Sequence, residues 1–177
     1  MKFLLIYATT EGQTRKIVEF VASQLKNLKH EVELLDSARR LLDLEISDYD
    51  AVIIAGSVHQ RKHQESVTNF VIAHLGQLEN LPVLLISVSL SIAFDGGDDE
   101  AQKYVDMLVD YTGFKPTSSL LVAGALRFDE YDFFMEQIVE FVVLKDQESI
   151  SGDKEFTDWD KLTGDIAGFA SAVSGFK

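Results

Sequence analysis

The N-terminus is the part of this sequence that most restricts the fold. A continuous apolar run between Lys2 and Ala8 predicts a buried strand. A polar turn at residues 9–14 follows it and contains three threonines and Gly12. Apolar residues then recur on one face of a helix at residues 15–28. The order predicts a strand, a turn and an amphipathic helix.

The turn is where we expect chemistry. Its threonines supply side-chain hydroxyls, and Gly12 allows a positive φ or the close approach of a ligand. The helix that follows directs unpaired N–H groups and its positive dipole end at the turn, so this site suits a phosphate. Neither the ending of a P-loop nor the glycines of a dinucleotide fingerprint are present. An ordinary β–turn–α connection is the alternative interpretation.

Composition limits the classes of protein that the chain can represent. Its 177 residues predict one domain at residues 1–177, and 46% hydrophobic residues are enough for a sizeable core. The absence of cysteine excludes disulfides, thiolate catalysis and cysteine-ligated metal centres. The formal net charge of −13 argues against nucleic acid as a partner. No signal peptide or membrane span is recognisable, so we expect a cytoplasmic protein with at most peripheral membrane contact.

The rest of the chain alternates between strand and helix patterns. Glycine after the second helix and polar residues before the later ones supply the end signals: Gly76 as C′, Asp98 or Asp99 as one N-cap, and Thr157 as another. Such alternation predicts a parallel sheet with helices on both faces. Four further strands are predicted at residues 31–36, 49–55, 83–89 and 118–125, and four further helices at 64–75, 101–111, 130–144 and 157–173.

Two charged clusters have open interpretations. The basic cluster His59, Arg61, Lys62 and His63 is either the solvated start of a helix or a positive charge beside a ligand. The acidic residues 95–100 lack the spacing of an EF-hand, which favours a solvated loop over a cation site. The histidines are too scattered to predict zinc, and no nucleophile elbow is present, so no metal or catalytic residue is predicted.

The N-terminal turn resembles a known phosphate signature. Thr9-x-x-Gly12-x-Thr14 after an apolar strand is similar to the FMN-phosphate loop of the flavodoxin-like family. The resemblance implies an α/β, flavodoxin-like three-layer sandwich with a five-stranded parallel sheet of order 2-1-3-4-5. In that order the loops at residues 9–14, 56–63 and 87–94 meet at the carboxyl ends of the strands, and residues 124–131 lie further along the same edge.

Further motifs along nearly the whole chain resemble one branch of that family, the menaquinone-dependent protoporphyrinogen oxidases. That branch implies an FMN-dependent enzyme that oxidises protoporphyrinogen IX and passes the electrons to a membrane quinone. The motifs are Gly56-Ser57-Val58, Ser87-Val88-Ser89-Leu90, Ala123-Gly124-Ala125-Leu126-Arg127, Tyr131 and Thr157-Asp158-Trp159.

The resemblance also implies which residues bind the cofactor. The first loop would hold the phosphate, the second and third would hold the flavin ring, and the fourth would line the substrate side. The implied residues are Thr9, Thr10, Glu11, Gly12, Gln13, Thr14, Ser57, Val58, His59, Ser87, Val88, Ser89, Leu90, Gly124, Ala125 and Arg127.

The chain departs from that branch at the second loop. His59-Gln60-Arg61 stands where the branch tends to have Arg-Tyr-Gly. Because residues with a side chain resist a positive φ, we expect Gln60 and Arg61 to disfavour the backbone flip of electron-carrier flavodoxins. The loops at residues 95–100 and 129–132 are acidic where the branch is basic.

Other functions in the same fold therefore remain open. A soluble electron-transfer flavodoxin suits the acidic composition and would meet a redox partner protein. An FMN-dependent NAD(P)H:quinone reductase would take a small-molecule substrate. A protein of this fold that has lost FMN is a further alternative.

Overall fold

Five parallel strands form the centre of the protein. The computed structural model describes residues 1–39, 44–126 and 153–175, so the predicted helix at residues 130–144 lies outside the described residues. The five strands are β1 (Lys2–Ala8), β2 (Glu31–Asp36), β3 (Ala51–His59), β5 (Val83–Ser89) and β6 (Ser118–Ala123). Their spatial order is β2-β1-β3-β5-β6, which confirms the predicted order when the parallel strands alone are counted.

Three short strands form two antiparallel pairs, one at the end of β3 and one in a separate two-stranded sheet. β4 (Lys62–His63) folds back on the end of β3, with Val58 opposite His63 and His59 opposite Lys62. β7 (Ala125–Leu126) pairs with β8 (Lys154–Glu155). Both pairs lie beyond the carboxyl ends of parallel strands, where the chain would otherwise leave the sheet.

Helices cover both faces of the sheet, as the alternating pattern predicted. Successive residues of β1 point to opposite faces, so Phe3 and Leu5 join one core while Leu4 and Ile6 join the other. The first core contains α1 and α5, and the second contains α2 and α4. The helices are α1 (Gln13–Asn27), α2 (Glu65–Ala73), α3 (Leu75–Leu78), α4 (Asp98–Thr112) and α5 (Trp159–Ser174).

None of the helices in the described ranges has both the length and the apolar composition that a bilayer crossing requires.

Several predicted strand and helix ends are wrong. The third strand continues to His59 instead of ending at Ala55, because its last residues pair with the antiparallel strand β4. The fifth strand ends at Ala123, and Gly124 separates it from β7. Gly76 does not end the second helix, since it lies inside α3.

The predicted helix caps are also wrong. Asp98 and Asp99 are not N-caps, because they lie in the first turn of α4 and Gly97 occupies the cap position without a side-chain bond. Carboxylates in a first turn still stabilise the helix through its dipole. Thr157 does not cap α5: Asp158 does, and its side chain accepts a backbone N–H of the first turn at 2.9 Å.

Candidate functional site

The carboxyl ends of the parallel strands place four loops at one edge of the sheet, which we call the carboxyl edge. Ala8 of β1 lies opposite Gly56 of β3, and Gly56 lies opposite Ser87 of β5. Ser89 of β5 in turn lies opposite Ala123 of β6. The loops after β1 and β5, the hairpin at the end of β3 and the residues after β6 therefore begin at the same edge of the sheet. The register brings together the segments that the sequence predicted to meet a ligand.

Residues 9–12 join β1 to α1, and we call them the first loop. A hydrogen bond from one of its side chains to its backbone stabilises this loop. Thr9 Oγ1 accepts the backbone N–H of Gly12 at 2.9 Å. Gly12 has a φ of +86°, which a residue with a side chain rarely adopts, and it is the N-cap of α1. Its carbonyl accepts the N–H of Lys16 at 3.0 Å, so the helix begins directly after it. The first N–H groups of α1 therefore face the loop without partners inside the helix.

Thr14 is the most buried hydroxyl residue near this loop. It is 1% exposed, and its Oγ1 has no hydrogen-bond partner among the described residues. A hydroxyl that is buried and unpaired destabilises the protein, so a ligand that pairs with it gains affinity from that deficit. An unpaired hydroxyl at the N-terminus of a helix therefore suits the binding of a phosphate group.

Gln64 joins the first loop to the end of β3. Its Oε1 accepts the backbone N–H of Ser57 at 2.9 Å, and its Nε2 donates to the hydroxyl of Ser57 and to Thr10 Oγ1, the latter at 3.3 Å. Ser57 Oγ also lies 3.1 Å from His59 Nε2. Four side chains, from the first loop, the end of β3 and the N-cap of α2, are thus held in one hydrogen-bonded group.

The turn between β3 and β4 overturns one expectation. Gln60 has a φ of +50° and Arg61 a φ of +65°, so both residues adopt the conformation that they were expected to resist. Two central residues with positive φ form the I′ type of hairpin turn, whose twist matches that of the flanking strands. The hairpin pairing therefore compensates for the strain at these two residues, and a short antiparallel strand replaces the predicted loop.

One member of the basic cluster, Arg61, faces an acidic residue of α4. Arg61 lies 3.8 Å from a carboxylate oxygen of Glu100, whose other oxygen accepts from Lys103 at 3.1 Å. The hydrogen bond from Lys103 is the main cause of a lowered pKa of Glu100, and Arg61 adds to it. Part of the positive charge at the hairpin is therefore offset by the start of α4.

His63 lies inside the protein. It is 7% exposed, and its Nε2 lies 3.0 Å from the hydroxyl of Ser87, which is 0% exposed. Burial lowers the pKa of His63 to about 4, so the imidazole is neutral at pH 7. Burial also lowers the pKa of His59. A neutral imidazole has one nitrogen that donates and one that accepts.

Residues 153–158, which we call the return segment, close the other side of the carboxyl edge. Phe156 N–H donates to the carbonyl of Gly124 at 3.1 Å, and the N–H of Gly124 donates to the carbonyl of Ser89 at 3.1 Å. Lys16 Nζ lies 2.5 Å from Glu155, which links the return segment to α1. Ala125 is buried at the start of β7, and Arg127 lies outside the described residues.

Four buried polar side-chain atoms have no hydrogen-bond partner within the described part of the chain, and all four lie at the carboxyl edge or at the loops that leave it. Such atoms are rare in folded proteins, and a cluster of them at one edge indicates a ligand site. No group of histidine and acidic residues in the described ranges suits a metal ion. The four atoms are Gln13 Oε1, Thr14 Oγ1, His63 Nδ1 and Ser89 Oγ.

The other predicted site residues lie near these atoms, at differing depths. Val88 is buried within β5, and Leu90 follows that strand half-buried. Thr10 is exposed and Glu11 is half-buried in the first loop. Val58 pairs with His63 in the hairpin.

Three residues of this edge were not among the residues predicted to bind the cofactor: His63, Gln64 and Thr157. Of these, His63 belongs to the basic cluster whose role beside a ligand the sequence left open. His63 and Gln64 reach the edge because β4 folds the chain back over β3. Thr157 reaches it from the far end of the sequence, where it bonds to Gln13. A hairpin signal such as Asn-Gly would have indicated the first two, but Gln60 and Arg61 do not provide one.

A family model described as "Flavodoxin domain" matches residues 4–151. A protoporphyrinogen IX dehydrogenase (quinone) from Escherichia coli strain K12 is 25% identical, over 98% of this chain and 95% of the relative. A protein of the same name from Leishmania major is 25% identical, over 96% of this chain and 75% of its own length.

Solved structures show the same fold. The crystal structure of oxidised flavodoxin 1 from Bacillus cereus is similar with a TM-score of 0.60 and 13% identity, over 97% of this chain and 98% of that one. A flavodoxin from the domain Archaea is similar with a TM-score of 0.58 and 15% identity, over 98% of this chain and 99% of that one. At these identities the likeness extends to the α/β fold and its sheet order.

Proposed function

This chain belongs to the Flavodoxin domain family, and from that membership we propose that it is an oxidoreductase that binds FMN at the carboxyl edge. The observation that carries the proposal is the buried, unpaired hydroxyl of Thr14 at the N-terminus of α1. Helix N–H groups, a glycine with positive φ and an unpaired hydroxyl suit a phosphate group. Thr9, Gly12 and Thr14 would hold the phosphate of FMN there.

The remaining unpaired atoms suit the rest of such a ligand. Bound FMN would supply an isoalloxazine ring that accepts and returns one or two electrons. Ser89 Oγ and His63 Nδ1 are buried groups that would pair with ring or ribityl atoms. His63 is neutral at pH 7, so it would orient the ring without adding charge.

The His63–Ser87 pair would hold a proton beside the ring. Nε2 of His63 and Oγ of Ser87 share a hydrogen bond of 3.0 Å, and the second ring nitrogen of His63 has no partner among the described residues. A neutral imidazole with one nitrogen in a hydrogen bond presents the complementary donor or acceptor at the other. Burial of both residues excludes water from this point.

We further propose that the substrate is a porphyrinogen and that the electrons pass to a quinone. Support comes from the two relatives named protoporphyrinogen IX dehydrogenase (quinone), which match nearly the whole of this chain. The substrate would lie on the side of Gly124 and Ala125, where the chain leaves β6 and enters β7.

An electron-transfer flavodoxin is the second candidate. The formal net charge of −13 favours it, since a strongly acidic surface suits a basic redox partner protein more than an anionic porphyrin or membrane.

One experiment separates these functions. The purified protein is loaded with FMN, and reduction of the flavin is followed under anaerobic conditions with protoporphyrinogen IX or with NAD(P)H. Menaquinone is then added to measure reoxidation. Reduction by the porphyrinogen, followed by reoxidation by the quinone, supports the proposal. Rapid reduction by NAD(P)H alone indicates a quinone reductase, and slow reduction by both indicates a carrier. A protein that binds no FMN would overturn the whole proposal.

The acidic start of α4 offers a second test of the substrate. Asp98 and Asp99 are exposed near the carboxyl edge, and they would repel an anionic porphyrin at low salt. Changing both to Asn is expected to speed porphyrinogen oxidation, and added salt should remove most of the gain by screening. Asp110→Asn, in the last turn of the same helix, is the matched control and should leave the rate unchanged. Equal rates for both variants at all salt concentrations would contradict a path past these residues.

A further inference from the structure

A chain of buried hydrogen bonds connects the first residue of α1 to the return segment. Gln13 Nε2 lies 2.9 Å from Thr157 Oγ1, and that hydroxyl lies 2.7 Å from the carbonyl oxygen of Ala123. Gln13 is 6% exposed and Thr157 is 8% exposed. The link joins residues 144 positions apart in sequence, at the edge where the ligand is proposed to bind.

The carbonyl of Ala123 fixes the direction of this chain. A carbonyl oxygen only accepts, so the single proton of the Thr157 hydroxyl is donated to Ala123. The hydroxyl oxygen can then only accept from Gln13. The amide of Gln13 must therefore turn its NH₂ group toward Thr157, and its Oε1 must face the other way.

Gln13 Oε1 is consequently a buried acceptor without a donor. The atom is buried and has no hydrogen-bond partner among the described residues. A flipped amide would place two acceptors against each other, so the side chain cannot relieve the deficit by rotating. An unpaired buried acceptor favours the binding of a ligand that brings an O–H or N–H group to it.

We propose that Thr157 is a positioning residue that holds Gln13 as the acceptor for a hydroxyl group of the bound ligand. The inference rests on the proposed function, in which that ligand is FMN. Two parts of FMN carry hydroxyl groups: the ribityl chain, and the phosphate when it holds one proton. The return segment thereby determines a contact in the first loop although it lies far away in sequence.

FMN titration of four apo-protein variants tests the link. Thr157→Val removes the hydroxyl at nearly constant volume, and we expect roughly three- to tenfold weaker binding of FMN. Thr157→Ser keeps the hydroxyl and should bind FMN within about twofold of the wild type. Gln13→Met removes the acceptor and should lose about the same factor as Thr157→Val.

The double variant separates an effect through Gln13 from a general effect of Thr157 on packing. If Thr157 acts through Gln13, then Thr157→Val adds no further loss in the Gln13→Met background. An equal loss in both backgrounds, or an equal loss for Thr157→Ser, would overturn the inference. Should Thr157→Val fail to fold, unchanged FMN binding by Gln13→Met alone would overturn it as well. Absence of FMN binding by the wild type would refute the proposed function instead.

The pH dependence identifies the hydroxyl source. The second pKa of a phosphate monoester is about 6, so a phosphate donor is largely lost at pH 8. If the phosphate is the donor, the loss of affinity caused by Gln13→Met disappears between pH 5.5 and pH 8, and methyl phosphate, a monoester without other hydroxyl groups, shows the same change in a competition titration. If the ribityl chain is the donor, the loss is equal at both pH values and is absent for methyl phosphate. No loss at either pH would overturn the acceptor role.

Discussion

Thr14→Val is expected to have opposite effects on the apo-protein and on the FMN complex. The side chain is 1% exposed and its hydroxyl has no partner among the described residues. A buried unpaired hydroxyl costs about 1–3 kcal/mol, and valine replaces it with a methyl group of similar shape. Threonine and valine have nearly equal helix propensities, so the change adds little inside α1. The free energy of unfolding of the apo-protein should therefore rise by roughly 1 kcal/mol.

The affinity for FMN should fall in the same variant. A hydrogen bond to a phosphate is charge-assisted, and its loss costs about 1.5–3 kcal/mol. The dissociation constant should therefore rise about ten- to a hundredfold. In saturating FMN the stability order reverses, because the wild type gains more free energy from binding. Urea unfolding measures the stability without FMN and in saturating FMN, and a fluorescence titration measures the dissociation constant.

Thr9→Val is the matched control. Thr9 Oγ1 already accepts the N–H of Gly12 at 2.9 Å, so this variant loses a hydrogen bond that the apo-protein contains. Its stability without FMN should fall by about 1 kcal/mol, the opposite of Thr14→Val. A lowered apo stability in both variants would refute the reasoning, because it would mean that the Thr14 hydroxyl is paired inside the protein.

Three further predictions concern the hairpin, the buried histidine and the start of α4. The folded pKa of His63 is about 4 against 6.5 unfolded, so its stabilising contribution is present above pH 6.5 and is lost as the pH falls toward 4. Between pH 7 and pH 5 the wild type should lose roughly 2 kcal/mol more than His63→Gln in urea unfolding, and equal losses would contradict the lowered pKa. Replacing Gln60 and Arg61 by Asn-Gly should raise the unfolding free energy by about 1 kcal/mol, because asparagine and glycine adopt a positive φ readily. An unchanged unfolding free energy would argue against the I′ turn. A Cβ at Gly97 would lie 1.7 Å from the carbonyl oxygen of Ser91, so Gly97→Ala should destabilise by roughly 1–3 kcal/mol or more. Gly164→Ala, in open space on α5, should instead stabilise by about 1 kcal/mol, and thermal unfolding compares the two.

The sheet was predictable because its signals are local and strong. The alternating pattern at Glu31–Asp36 and the apolar run at Val83–Ser89 have the predicted bounds, and the family resemblance gave the strand order that the structure confirms. Two buried faces leave little choice of register for a strand such as Val83–Ser89. The first loop was predictable for the same reason, since its threonines and Gly12 lie next to each other in sequence.

The rest of the site was not predictable, because it depends on tertiary contacts that override local preference. Gln60 and Arg61 adopt a positive φ only because the flanking residues pair as a hairpin. Thr157 looks like a helix cap in sequence, yet its hydroxyl bonds to Ala123 and Gln13 across the molecule. No local pattern indicates a contact that spans 144 residues. The assignment of individual residues to FMN stays a prediction.

The missing side chain of Gly56 has a consequence for how this protein can diverge. A Cβ there would lie 3.4 Å from His63 Cδ2, 3.5 Å from Gln64 Oε1 and 3.5 Å from Val67 Cγ2. His63 and Gln64, which fold back over the sheet, therefore pack directly against the backbone of Gly56. A Cβ alone would make ordinary contacts at these distances, but a side chain that extends further would have to displace the imidazole or the amide that bonds to Ser57. We expect the identities at positions 56, 63 and 64 to co-vary among close homologues, as a single evolutionary unit that spans strand, hairpin and helix.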